Sequence, residues 1–127
     1  IESKYNLIRG SVGEIIVIEY LDLELLGLSN MKKFTIGMIV ENILYGSRGC
    51  CPDLILASNN EIIPVEIKCL KTLARNKDYH RGISLAKRQC ESTIELIGLK
   101  YSHLINRYLI IIVGWSEYKI EHIFFNK

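Results

Sequence analysis

With 127 residues, 49% of them apolar, the chain can bury a core as one domain, so a single unit over residues 1–127 is expected. Sixteen basic and fourteen acidic residues leave a net charge of +2, which excludes a general polycation. Any affinity for nucleic acid must come from local clustering.

The longest apolar runs, such as 109–113, fall far short of the roughly 20 residues of a membrane helix, and the N-terminus has no signal-peptide pattern. No membrane partner is expected. Cysteines at 50, 51, 69 and 90 lack the paired short spacings of a zinc site. They read as reduced thiols, which points to an intracellular compartment, cytoplasmic or nuclear. Because the first residue is Ile1 rather than Met, the chain is expected to be a segment of a longer polypeptide.

Ser11 followed by Glu14 reads as a capping box, and Val17, Ile18, Leu21 and Leu25 recur at helical spacing until Gly27. This predicts a helix over 11–26. Residues 34–45 are β-branched, aromatic and uncharged until Glu41, which predicts one long strand or two short ones, ended by the turn residues of 46–49. The apolar runs 53–57 and 62–69 flank Ser58-Asn59-Asn60-Glu61 and read as a hairpin. Helical periodicity returns over 83–97, with Ala86, Cys90, Thr93 or Ile94, and Ile97 on one face and Gly98 as the expected stop. Strands over 108–115 and 118–125 close the chain, the first apolar enough to be covered on both faces. The order is α-β-β-β-α-β-β, an α/β fold with a sheet flanked by helices.

The chemistry lies in Pro52-Asp53 and Glu66-Ile67-Lys68. Side chains alternate along a strand, so Glu66 and Lys68 share one face while Val65, Ile67 and Cys69 take the other. The hairpin can bring Asp53 beside them. Two carboxylates and an ammonium suit phosphodiester hydrolysis: Asp53 and Glu66 as oxygen ligands of Mg²⁺ or Mn²⁺, the Ile67 carbonyl as a third, and Lys68 at the attacked phosphate.

These residues match the signature of the PD-(D/E)XK nuclease superfamily, which the chain resembles over most of its length, including the order of its elements. The resemblance implies a restriction-endonuclease-like core with a mixed sheet and a Mg²⁺- or Mn²⁺-dependent nuclease. The branches it looks most like are lambda-exonuclease and viral alkaline nucleases or Holliday-junction resolvases. They imply a further helical carboxylate, Glu14, and a Gln in the following helix, Gln89. Glu14 also lies in line with Val17, Ile18 and Leu21 on the face that must pack against the sheet; Glu41 is its rival. DNA is the expected substrate, in replication, recombination or repair, with a larger replication protein or a homo-oligomer as the expected setting. An RNA endonuclease domain of a viral polymerase and a catalytically silent nucleic-acid-binding module of the same fold are the alternatives. The superfamily's iron–sulfur clusters are not expected, because Cys50 and Cys51 precede the motif and none follows Cys90.

From Lys68 to Arg88, seven basic residues stand against the single acid Asp78. Lys71, Arg75, Lys77, Arg81, Lys87 and Arg88 are therefore expected to track phosphates. Tyr79 and His80 either stack on bases or close the loop, and Trp115 is expected to be core.

Overall fold

Strand β3 (Ile62–Leu70) is the axis of the fold, and its alternation decides where everything else packs. The computed structural model describes residues 2–35 and 52–127. In chain order these form α1 (Glu2–Tyr20), β1 (Lys32–Phe34), β2 (Leu54–Ala57), β3, α2 (Lys77–Tyr101), a short 3₁₀ turn (Ser102–Leu104), β4 (Arg107–Gly114) and β5 (Lys119–Asn126). The strands make one five-stranded sheet in the order β1-β2-β3-β4-β5. Only β3 and β4 pair in parallel, with Val65 opposite Leu109 and Leu70 opposite Gly114; the other pairs are antiparallel. A parallel pair needs a long crossover, and α2 supplies it. The described residues thus form an α/β fold with a mixed sheet and two helices, in the expected order.

Alternate strand residues feed two apolar layers. Leu54, Leu56, Ile63, Val65, Ile67, Leu109 and Ile111 pack with Val17 and Leu21 of the α1 side. Ile55, Ile62, Tyr108, Ile110 and Ile112 face Ala86, Cys90 and Ile97 of α2. Leu109 to Ile112 are fully buried, as expected for a strand covered on both faces. Each such side chain contributes roughly 1.5–3 kcal/mol relative to exposure.

Four helix boundaries differ from expectation. Helix α1 starts at Glu2, so Ser11 and Glu14 lie in its interior rather than at its N-terminus. It ends at Tyr20, because the Asp22 carboxylate accepts from the Glu24 and Leu25 amides and starts a separate turn. Gly27, at φ 71°, closes that turn, and Leu25 is left 85% exposed. Helix α2 begins six residues before the expected 83, where Asn76 Oδ1 accepts from the Tyr79 amide as an N-cap. It also runs through Gly98 to Tyr101, so that glycine is no stop. The strand expected over 34–45 meets β1 (Lys32–Phe34) only at Phe34, where β1 ends; residues 36–51, with Glu41, Cys50 and Cys51, lie outside the described residues.

Candidate functional site

The site begins where β3 outruns β2. Strand β2 starts at Leu54 opposite Val65, leaving Glu66 to Leu70 without a β2 partner. Pro52 has no N–H with which to prolong the ladder. The next backbone donor, Ile67 N–H, is taken instead by Asp53 Oδ2 at 2.8 Å. A residue's N–H and C=O point to the same side of a strand, so the Ile67 carbonyl faces the same opening as Asp53. The end of the hairpin thereby gathers a carboxylate, a carbonyl and the two charged side chains of β3.

Glu66 is only 3% exposed. Burial first, then the charge of Asp53 and a hydrogen bond with it, push its carboxyl up to about 9, and Lys68 only partly offsets the rise. Glu14 reaches the same place from α1. Its carboxyl is raised by burial and by Asp53, with which it shares a hydrogen bond, and is lowered by Lys68. The structure thus gathers four of the expected residues: Glu14, Asp53, Glu66 and Lys68. Asp53 is the link, since its charge helps raise both glutamates.

Burial beside a neighbouring acid disfavours the charged form of Glu14 and Glu66, and a hard divalent cation would offset the same excess of negative charge. The donor set is all oxygen, which suits Mg²⁺ or Mn²⁺ rather than zinc. Asp53, Glu66, Glu14 and the Ile67 carbonyl are the groups that could hold it. Among the described residues no three His, Cys, Asp or Glu side chains are spaced to grip a metal as they stand.

Gln89 lies half-buried on α2, the helix covering the sheet face that carries Glu66, but it is not among the groups that shift these carboxyls. The basic segment divides. Lys71, Lys77, Arg81 and Arg88 are exposed, Arg81 with Asp78 3.9 Å away. Arg75 is committed elsewhere: its guanidinium bonds Glu121 at 2.9 Å and lies 4.1 Å above the Tyr79 ring. Lys87 sits over the Phe125 ring at 4.8 Å. Tyr79 is buried and donates to Glu121 Oε2 at 2.9 Å, so it closes the loop rather than offering a stacking face. His80 is exposed against its edge. Trp115 is half-buried at the end of β4, beside Gly13 of α1.

Sequence reasoning missed the partners of this loop. Glu117 accepts from the Thr72 hydroxyl and from the Leu73 amide at 3.0 Å, and the Trp115 and Ser116 amides bond the Leu70 and Lys71 carbonyls. These bonds clasp the segment after Lys68 to the β4–β5 hairpin. No local pattern announces them, since the partners lie more than forty residues apart.

No protein-family model matches this chain, and no curated protein matches its sequence.

Proposed function

We propose that the chain is a metal-dependent nuclease domain with a restriction-endonuclease-like core, hydrolysing phosphodiester bonds in DNA. The observation that carries this reading is the meeting of Glu14, Asp53 and Glu66 beside Lys68 where β3 extends past β2. A structural salt bridge would pair one acid with one base. Three acids around a single lysine instead leave an excess of buried negative charge, which is costly unless protons or a cation offset it.

Asp53, Glu66 and the Ile67 carbonyl would hold Mg²⁺ or Mn²⁺, with Glu14 completing the oxygen set. When bound, the cation offsets phosphate charge and makes water more acidic. The protein's own groups supply the rest. Asp53 keeps the strand end in register through its bond to Ile67 N–H. The Lys68 ammonium sits beside the carboxyls, where it can stabilise negative charge growing on the phosphate oxygens. Exposed Lys71, Lys77, Arg81 and Arg88 then attract the nucleic-acid backbone after the motif.

The test is incubation of the purified chain with labelled linear, nicked, branched and single-stranded DNA, and with RNA, in Mg²⁺, Mn²⁺ or EDTA. Metal-dependent cleavage of DNA is the expected result. Cleavage of RNA alone moves the assignment to an RNA endonuclease, and binding without cleavage in either metal moves it to a silent binding module.

A further inference from the structure

We infer that Gly13 is a positioning residue for the acidic site, its missing side chain letting α1 lie close enough to β3 for Glu14 to reach Asp53. The inference rests on the metal-site reading above. Glycine inside a helix is unfavourable relative to alanine, so its presence at a buried helical position needs a steric reason. Here one is visible. A Cβ built on Gly13 would overlap the Cys69 sulfur, sit 3.3 Å from the Cys69 Cβ and meet the Trp115 ring at 3.7 Å. Cys69 follows Lys68 on β3 and points to the opposite face, toward α1. Its thiol donates to the Gly10 carbonyl at 3.5 Å, one helical turn before Gly13. The two backbones are therefore in near-direct contact at the level of the site, and the next residue along the helix is Glu14.

Rotation of the thiol would relieve the sulfur overlap but not the 3.3 Å approach of the Cys69 Cβ, and the Trp115 ring in ordinary contact at 3.7 Å leaves the added methyl no room to lean away. The remaining relief is for α1 to move outward, and Glu14 moves with it. A shift of about 1 Å is enough to spoil a site built on converging groups. Gly10 supplies the control. It lies in the same helix with nothing within 4 Å of an added Cβ.

The experiment is calorimetric titration of Mn²⁺ into the metal-stripped chain, with melting in EDTA alongside, for wild type, Gly13→Ala, Cys69→Gly, the Gly13→Ala/Cys69→Gly double variant and Gly10→Ala. Gly13→Ala should bind Mn²⁺ about 10 to 100 times more weakly, the range for residues that orient metal ligands. The double variant, which has neither the sulfur nor the Cβ in the way, should regain most of that affinity. Cys69→Gly and Gly10→Ala should bind as wild type does, and Gly10→Ala should melt higher. A Gly13→Ala protein with wild-type affinity overturns the inference, even if it melts lower, since that is a packing role alone. If Gly13→Ala does not fold, the double variant decides: folded and binding supports the inference, folded without regained affinity overturns it. A wild-type chain that takes up no Mn²⁺ removes the metal reading itself, a result separate from any difference between variants.

Discussion

Two acidic clusters flank the segment that follows β3, and their electrostatics are opposite. At the hairpin end, Glu14 and Glu66 are desolvated beside Asp53 and both are driven toward the protonated form. At the β4–β5 end, Glu121 is held below the ordinary carboxylate range by Arg75 and Tyr79, and Glu117 by Thr72 and the Leu73 amide. The same side chain is thus satisfied in one place and left in surplus negative charge in the other. Satisfied carboxylates tie loops together, whereas desolvated ones beside another acid carry the perturbed electrostatics on which the proposed site rests.

The strongest way to break this comparison is to remove charge at the first cluster. Asp53→Asn keeps an oxygen for the Ile67 amide, and Lys68→Ala removes the ammonium. Each should lower cleavage of labelled DNA by at least about a hundredfold, the size seen when transition-state electrostatics are lost. Wild-type rates in either variant with unchanged melting would show that the cluster is not the active site.

Stability against pH separates the clusters next. A carboxyl raised in the folded state contributes stability that is full below its unfolded value near 4.5 and disappears as pH climbs toward about 9. In EDTA the wild type should therefore melt at least about 4 °C lower at pH 9 than at pH 5, a shift corresponding to roughly 1 kcal/mol for a domain near this size. Glu66→Gln should flatten that slope, and so should Mn²⁺ added to the wild type. Glu121 has the opposite sign: its lowered value makes its contribution present above the ordinary carboxylate pKa and lost as pH falls through the lowered one. Glu121→Gln should accordingly lower stability above that range and flatten the acid-side slope, while leaving stability in strong acid as in wild type. Identical pH profiles for the two variants would erase the distinction.

A smaller effect concerns the cations around the two clusters. Replacing Lys77, Arg81 and Arg88 together should weaken duplex binding and reduce the salt slope by roughly 0.9 for each phosphate no longer neutralised. Arg75→Ala should change the slope little, because its guanidinium is already held by Glu121. The smallest expected effect is on stability. The Arg75 to Glu121 pair is largely exposed, so its loss should shift the denaturant midpoint only slightly. A full-unit change in salt slope from Arg75→Ala would show that the clasp opens when nucleic acid binds.

Periodicity alone was sufficient for the hairpin of β2 and β3, for the side of β3 that carries Glu66 and Lys68, for the body of α2 and for the two closing strands. These depend on residues close in sequence, where alternation by two or by 3.6 leaves a readable mark. Two expectations show the limit of that reading. Ser11 and Glu14 satisfy the capping-box spacing, yet the helix begins nine residues earlier; the pattern is short enough to occur by chance inside a helix. Arg75 looks like any other member of a basic run, yet its partner lies 46 residues away on β5.

Local sequence is therefore enough for the set of elements and for the motif on β3. Only the folded chain makes β3 and β4 run parallel, gives the Ile67 amide to Asp53 where β2 stops, and brings Glu14 across from α1 to join it. The physical reason is the same for all three. Local propensity depends on each residue's own side chain and its near neighbours, while strand pairing, burial of charge and the approach of a helix at a bare glycine depend on which distant surfaces meet once the chain has collapsed.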